Sequence, residues 1–434
     1  MHGDGFMSLT KDGYIPRLID KKVSRYLRVF GGVSIEGPKW VGKTWTGLNH
    51  AESVTYMTEK GPRNLARIDP KYIFTKERPQ LIDEWQIVPG IWDAVRHECD
   101  SDSGTGKFIL TGSTVLHSTE NDDDIVYHSG TGRIAMLQMH PMSLYESGDS
   151  TGKASISDML RGKLDEGYEG KVELDELAYY IMRGGWPKNL GVSVEDSLLR
   201  PESYIESIVT KDMHEGQEKK RNPDKMRKLI KSLARNESTV TGLKTIVRDI
   251  EEYESGDELI ESTQTVSDYL SVLDSLYLTS DIPAYSLNYR SSSRIGKSAK
   301  RHLADPSLCC ASLGLTVDKL MYDHETFGLL FEALAVRDLR IYADYLDGRL
   351  YHFRDNVSGD EVDAIIEFKD GSYAAFEIKL SDGSIKDAVK SLETFRNNVE
   401  RKPVFCCVIV GHQEAVIRDP ESGIYIVPLT SLKP

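Results

Sequence analysis

The segment from Gly37 to Thr44 has the residue types and spacing of a loop that binds phosphate groups. It reads GPKWVGKT and fits the pattern G-x-x-x-x-G-K-[ST] at every fixed position. Glycines let the backbone fold into a nest of N–H groups around an anion, and the helix that follows favours negative charge at its N-terminus. We predict that Lys43 reaches the terminal phosphates of ATP and that the Thr44 hydroxyl ligates Mg²⁺. The predicted nucleotide-binding residues of the loop are Gly37, Pro38, Lys39, Trp40, Val41, Gly42, Lys43 and Thr44.

Two carboxylates follow a second apolar run, over residues 79–84. We predict that Asp83 belongs to the Mg²⁺ and nucleotide site, and that Glu84 acts as the general base on the attacking water. A carboxylate pair after a strand is often only a helix cap. Together with a phosphate loop at the same sheet edge, the pair favours nucleotide hydrolysis.

Two further polar positions are candidates for the same site. A third apolar run, over residues 108–113, ends in Thr111, Gly112 and Ser113. A hydroxyl there can sense the terminal phosphate; Ser113 is preferred, Thr111 is the alternative, and a plain turn is the remaining interpretation. Arg133 follows a glycine-rich stretch and is either an arginine finger, acting in cis or in trans, or a surface residue.

A second group of charged residues lies near the C-terminus, where Asp363 is on one predicted strand and Glu377 and Lys379 are on the next. Asp370-Gly371 between them is a strong hairpin signal. A two-residue loop would place Asp363 opposite Ile378, whereas a three-residue loop with a left-handed Gly371 would place it opposite Glu377. We predict the second. Asp363 and Glu377 would then hold Mg²⁺ while Lys379 polarises a water for phosphodiester cleavage; the alternative is a solvated strand edge.

Hydrophobic patterning indicates the elements that position these residues. The apolar runs at 33–37, 79–84 and 108–113 are typical of buried strands in a parallel sheet covered by helices. Helical periodicity dominates residues 174–289, with helices at 223–235 and 263–277. From about residue 303 the pattern predicts helix (326–340), three strands, helix (385–399) and strand (404–410). We therefore expect an α/β protein with domains at 1–146, 147–300 and 301–434.

Composition bounds the class of protein. The chain has 434 residues, of which 54 are basic and 68 acidic, giving a net charge of −14. This balance excludes a protein that coats nucleic acid by overall charge, because phosphate binding depends on Lys and Arg. We find no run of about 18 apolar residues and no signal-peptide core, and the five cysteines fit neither a disulfide framework nor zinc spacing. We expect a cytoplasmic protein without membrane contact.

The motifs together resemble those of the prokaryotic AAA-like ATPases with a C-terminal DUF4143 domain. The resemblance is carried by GPKWVGKT, LIDEWQIVPGIWDAVR, FILTGST, GRIAMLQMHPMSLYE, RGGWPKNL, SLARNES, FGLLFEALAVRDLR and EVDAIIEFKDGSYAAFEIKL, which span nearly the whole chain. It implies an ATPase domain, a winged-helix-like middle and a C-terminal fold similar to PD-(D/E)xK nucleases. In that fold Glu332 would add a carboxylate. It also implies hydrolysis of ATP to ADP, and trans arginine fingers imply a homo-oligomer.

The charge of the middle region argues against the usual winged-helix contact with DNA. The helix over 263–277 would be the recognition helix, yet it has Asp268 and Asp274 and no basic residue on its exposed side. If DNA or RNA binds, we predict contact through two basic clusters; the alternative for each is a solvated face or a linker. The clusters are Lys219, Lys220, Arg221, Lys225, Arg227, Lys228, Lys231 and Arg235, and Arg290, Arg294, Lys297, Lys300 and Arg301.

Overall fold

The computed structural model describes residues 9–10, 12–101, 104–113, 130–211, 221–254, 260–286, 298–355 and 359–434. These residues form two compact units. The first contains the described residues up to His140 together with Ser275–Tyr277, and the second contains the others.

The first unit is built around a parallel sheet, which in the described residues has five strands in the order β2-β3-β4-β1-β5. Strand β1, which precedes the phosphate loop, therefore lies between β4 and β5. The strands are β1 (Gly32–Glu36), β2 (Ser53–Tyr56), β3 (Gln80–Asp83), β4 (Phe108–Gly112) and β5 (Ile134–Gln138). The helices are α1 (Asp20–Leu27), α2 (Lys43–His50), α3 (Lys60–Ile68) and α4 (Gly90–Asp100).

Continuous burial explains why three of these strands could be predicted. Every residue of β1, β3 and β4 is buried. A parallel strand that is covered on both faces is typically rich in apolar residues rather than alternating. One face packs against a cluster that includes Trp85, Trp92 and Phe108. The predicted strands at 33–37, 79–84 and 108–113 are confirmed.

The second unit begins with short elements and continues with a helical region. The first elements are α5 (Leu144–Ser147), β6 (Ala154–Ser155), α6 (Ile156–Leu160) and β7 (Gly167–Tyr168). The helices that follow are α7 (Leu174–Arg183), α8 (Leu199–Thr210), α9 (Pro223–Arg235), α10 (Leu243–Tyr253), α11 (Thr263–Ser275), α12 (Pro306–Leu313) and α13 (Val317–Tyr322). The two predicted helices of this region are confirmed by α9 and α11.

The C-terminal part of the second unit follows the predicted order of helix, three strands, helix and strand. Its elements are α14 (His324–Tyr345), β8 (Arg349–Arg354), β9 (Glu361–Glu367), β10 (Tyr373–Ser381), α15 (Ile385–Asn398), β11 (Phe405–His412), β12 (Ala415–Arg418), β13 (Tyr425–Pro428) and β14 (Leu432–Lys433). Within the described residues the main sheet has the order β7-β12-β13-β11-β10-β9-β8. Strand β10 lies between β11 and β9, parallel to β11 and antiparallel to β9.

The hairpin between β9 and β10 has the three-residue loop that the sequence predicted. The N–H of Phe368 donates to the carbonyl of Ser372 at 2.8 Å, so the loop consists of residues 369–371. Gly371 has a φ of 83°, the left-handed conformation that this loop needs. The register pairs Ala364 with Phe376. The next pair in that register is Asp363 and Glu377, and their side chains therefore share one face.

Two further observations concern the cysteines and the helices of the described residues. The five cysteines are buried and free. Within the described residues, no helix is both long enough and apolar enough to cross a bilayer.

Candidate functional site

The phosphate loop connects the C-terminal end of β1 to the start of α2, and glycines allow its path. Gly42 precedes the helix with a φ of 104°. A Cβ on Gly37 would lie 2.2 Å from the carbonyl oxygen of Met139, so no other residue fits there. Arg17, which the sequence analysis did not select, donates to the carbonyls of Val41 at 2.7 Å and His140 at 2.8 Å. The loop is therefore braced against the adjoining backbone.

Lys43 is directed into this loop. Its ammonium donates to the carbonyls of Gly37 at 2.8 Å and Pro38 at 2.7 Å, and the residue is only 6% exposed. Burial lowers the pKa of Lys43 to about 8, although the carboxylates of Glu84 and Asp83 oppose that shift. The lysine is thus inside the loop that its sequence motif predicts.

Asp83 and Thr44 are brought together by β3 and α2. The Thr44 hydroxyl donates to Oδ1 of Asp83 at 2.8 Å, and the Thr111 hydroxyl donates to the same oxygen at 2.6 Å. Carboxylate and hydroxyl oxygens are the ligands that Mg²⁺ prefers. The donor set therefore fits the predicted magnesium site. Thr111, the alternative sensing residue, is the one that supports Asp83.

Glu84, which follows the last residue of β3, has a left-handed backbone with a φ of 56°. Its carboxylate accepts a hydrogen bond from the Ser113 hydroxyl at 3.3 Å and another from the side-chain amide of Gln86. The Gln86 amide also lies 3.5 Å from the Ser113 hydroxyl. Gln86 was not among the predicted site residues, although its position two residues after Glu84 was the available signal.

Arg133 lies at the opposite end of the sheet. Its carbonyl accepts from the N–H of Gly32, the first residue of β1, whereas the phosphate loop follows the last residue of that strand. Five strand residues at about 3.3 Å each separate these edges. Its side chain donates to Asp100 at 2.8 Å. The structure therefore does not bring Arg133 to the phosphate loop of its own chain, and the cis arrangement does not fit.

The C-terminal group does come together. The Lys379 ammonium lies 2.8 Å from Oε2 of Glu377 and 3.3 Å from Oδ2 of Asp363. These three residues line a pocket of about 440 Å³ together with residues of β9 and α15, among them Asp387 and Ser391. The predicted convergence on one face is present, but each carboxylate is already paired with an ammonium group.

Lys300 adds a second ammonium to this group. It forms ion pairs with Glu332 of α14 and, at 3.5 Å, with Oδ1 of Asp363. Burial raises the pKa of Glu332 to about 8, with a further contribution from Asp363 and an opposing one from Lys300. For Asp363, burial is outweighed by Lys300 and Lys379, which hold its pKa below the ordinary value.

This donor set does not fit a metal ion. Asp363 and Glu377 were predicted as ligands, yet both oxygens of Asp363 are engaged, Oδ1 by Lys300 and Oδ2 by Lys379 and by the N–H of Ile378 at 2.9 Å. In the part of the chain that the structure describes, no three His, Cys, Asp or Glu side chains are arranged to hold a metal. The carboxylates instead belong to a buried ion network.

One member of the two basic clusters differs from the expectation. Lys300 is 3% exposed, so it is not a surface contact for nucleic acid. Other members with carboxylate partners are Arg227, Lys231, Arg235 and Arg301. Five members of the two clusters lie outside the described residues: Lys219, Lys220, Arg290, Arg294 and Lys297.

The fold and the loop geometry of the first unit are those of a P-loop ATPase. The family described as an AAA domain matches residues 31–148. Domains of unknown function match two later segments, DUF8612 over residues 174–319 and DUF4143 over residues 327–432. The chain thus has an AAA-type P-loop ATPase domain followed by a DUF4143 domain, as the resemblance implied. An AAA-like P-loop domain indicates ATP binding and hydrolysis.

Several solved structures are similar over long stretches. The Walker-type ATPase PABY2304 of Pyrococcus abyssi has 14% identity, covering 70% of this chain and 98% of its own, with a TM-score of 0.42. A RuvB variant of Thermotoga maritima has 15% identity, covering 63% and 93%, with a TM-score of 0.28. The Aeropyrum pernix ORC1 protein, solved in complex with DNA, has 11% identity, covering 70% and 95%, with a TM-score of 0.22. Similarities this low identify no substrate or assembly for this chain. No curated protein matches it.

Proposed function

We propose that this protein hydrolyses ATP to ADP and phosphate at the phosphate loop of the first unit. The observation that supports the proposal is that two adjacent carboxylates are held by different hydrogen-bond partners. Asp83 is held by the hydroxyls of Thr44 and Thr111, whereas Glu84 is held by Ser113 and Gln86. One carboxylate is thus available to the cation site and the other to the attacking water.

Each step has a residue assigned to it. The loop N–H groups and Lys43 bind the phosphates, while Thr44 and Asp83 hold Mg²⁺. Mg²⁺ held there would supply neutralisation of the charge on the phosphate oxygens. Glu84 accepts a proton as the water oxygen bonds to the γ-phosphorus and the bond to the β-phosphate oxygen breaks. Ser113 and Gln86 keep the Glu84 carboxylate in place.

The test of this proposal is Lys43→Ala in the full chain. We expect loss of ATP affinity and of phosphate release, because the variant lacks the ammonium inside the loop. Lys60→Ala is the matched control, since Lys60 is exposed on α3 of the same unit. Undiminished binding and hydrolysis in Lys43→Ala would refute the proposal.

For the second unit we propose a binding or regulatory module controlled by nucleotide, with a nuclease-like fold that does not cut. The competing function is a Mg²⁺-dependent nuclease coupled to the ATPase, in which Asp363, Glu377 and Lys379 would be catalytic. The ion pairs of Lys300 with Glu332 and Asp363 favour the module. They place a positive charge among the carboxylates that a metal would need.

These two functions predict different results in a cutting assay. Plasmid and single-stranded DNA are incubated with the full chain and Mg²⁺ or Mn²⁺, with and without ATP. We expect no cleavage. Cleavage that disappears in both Asp363→Ala and Lys379→Ala would establish the nuclease instead.

We also propose that a homo-oligomer is the form in which Arg133 could act in trans. Its exposed position beside Asp100, at the sheet edge away from its own phosphate loop, supports a role toward a neighbouring copy. Size-exclusion chromatography with ATP and with ADP would detect such an assembly. Arg133→Ala should lower hydrolysis only at concentrations where an oligomer forms, and equal loss in dilute monomer would contradict a role in trans.

A further inference from the structure

We propose that the Lys300 ammonium is a built-in cation of the second unit, taking the place between Glu332 and Asp363 that a divalent metal ion would take. The cluster is then a permanent ion network that closes the site to metals. This inference deepens the proposal that the second unit is a non-cutting module, and it is independent of ATP hydrolysis in the first unit.

The backbone around Lys300 holds its side chain in a defined position. Its N–H donates to the carbonyl of Ile282 at 3.0 Å, and its carbonyl accepts from the N–H of Ile282 at 3.0 Å. A second bridge joins Lys300 to Val240. Backbone pairing on both sides therefore fixes the position of Lys300. Its side chain extends into the interior, and the residue is 3% exposed. A mobile surface lysine would not be fixed in this way.

Most of the carboxylate oxygens already lie against a positively charged or hydrogen-bonding group. Asp363 accepts at both oxygens, and Glu332 is paired with Lys300. Glu377 is paired with Lys379 at 2.8 Å, and its other oxygen lies 3.4 Å from the Ser391 hydroxyl. A divalent ion would have to displace ammonium groups from an interior where like charges repel strongly. Metal entry is therefore opposed by both geometry and charge.

Charge balance supports the same assignment. Three ionised carboxylates with Lys300 and Lys379 leave a single negative charge. Without Lys300, three carboxylates and Lys379 would leave two negative charges, which one divalent ion balances. Lys300 thus supplies one of the two positive charges that a divalent metal ion would bring.

The experiment measures Mn²⁺ binding to the full chain without nucleotide, by calorimetry and by the electron paramagnetic resonance of free Mn²⁺. Wild type and Asp363→Asn should bind Mn²⁺ equally, because Asp363 is not a ligand. Lys300→Met should gain one site at least tenfold tighter than any in wild type, and its melting temperature should rise with Mn²⁺. The gain should vanish when Asp363→Asn is added. Lys386→Met, which removes an exposed lysine of the same unit, should gain nothing.

Two outcomes would overturn the proposal. One is Mn²⁺ binding by wild type that Asp363→Asn abolishes, and the other is a folded Lys300→Met that gains no site. If Lys300→Met does not fold, wild-type crystals soaked in Mn²⁺ decide the question by anomalous scattering: we expect no Mn²⁺ at Asp363 and Glu377, and a peak there refutes the inference. Phosphate release from ATP is measured in parallel. Because it depends on Lys43 and not on Lys300, it shows whether the ATPase proposal holds when the metal-exclusion proposal fails.

Discussion

Lysine and carboxylate side chains meet in both units, but they are hydrogen-bonded in opposite ways. In the first unit Asp83 accepts from the hydroxyls of Thr44 and Thr111, and Lys43 donates to backbone carbonyls. In the second unit Asp363 is bound by the ammonium groups of Lys300 and Lys379. The partners are neutral in one site and charged in the other.

This difference determines what each site can bind. Neutral hydrogen bonds hold a side chain in place without cancelling its charge, so the charge stays available to a phosphate or a cation. Ion pairs in a low-dielectric interior cancel the charge and hold the groups to each other. The same residue types therefore form a ligand site in the first unit and a structural network in the second.

The largest expected effect removes the charge of Glu84. Glu84→Gln keeps the shape of the side chain but cannot accept the proton, so ATP hydrolysis should fall by about 10²–10⁴-fold. ATP affinity, measured by calorimetry, should be retained because Lys43 still binds the phosphates. Glu59→Gln, at an exposed position of the same unit, is the control. A rate within twofold of wild type would show that Glu84 is not the base.

The second effect compares the stability of the two sites. Asp363→Asn leaves Lys300 and Lys379 without a shared counter-ion, and breaking such a buried pair costs about 3–5 kcal/mol. Asp83→Asn loses only charge-assisted hydrogen bonds from hydroxyls, which are worth about 1.5–3 kcal/mol. Urea unfolding of both variants measures the difference. Equal midpoints would mean that the second site is not an ion network of the kind described.

A smaller effect is expected from the residue that positions the base. Gln86→Ala removes the amide that holds Glu84 beside Ser113, and kcat should fall about tenfold with KM unchanged, because misplaced groups cost rate and not binding. Gln138→Ala, exposed at the end of β5, is the matched control. Gln86→Glu should not rescue the rate, since it places a second carboxylate beside Glu84. A rise in KM alone would assign Gln86 to nucleotide binding instead.

The smallest effect is a pH dependence of ATP binding. The pKa of Lys43 is lowered to about 8 by burial, and its protonated form is the one that attracts phosphate. Affinity should therefore be constant from pH 7 to 7.5 and weaken above pH 8, by up to about tenfold per pH unit. Lys43→Arg stays charged throughout this range and should show a flat profile. Parallel profiles for the two proteins would rule out titration of Lys43 as the cause.

The elements of the fold that could be predicted are those encoded by a short, contiguous stretch of sequence. Strands β1, β3 and β4 are continuously buried and contain short apolar runs, and the Asp-Gly hairpin between β9 and β10 is a local turn with one left-handed glycine. By contrast, β7 pairs with β12 and β6 pairs with β14. Strands β6 and β7 have two residues each and lie in a polar stretch. Their partners lie more than two hundred residues further along the chain. No local pattern marks such a strand.

The sequence by itself determined the chemistry of the phosphate loop, because the loop is one contiguous segment whose backbone path is dictated by Gly37 and Gly42. It also determined which strand ends carry Asp83, Glu84 and Ser113. Tertiary structure alone decided that Arg133 lies at the far edge of the sheet. It also decided that Asp363 is neutralised by Lys300. The two residues are 63 positions apart along the chain, yet folding brings the ammonium to the carboxylate. Charge neutralisation depends on distance in space, which residue spacing does not specify.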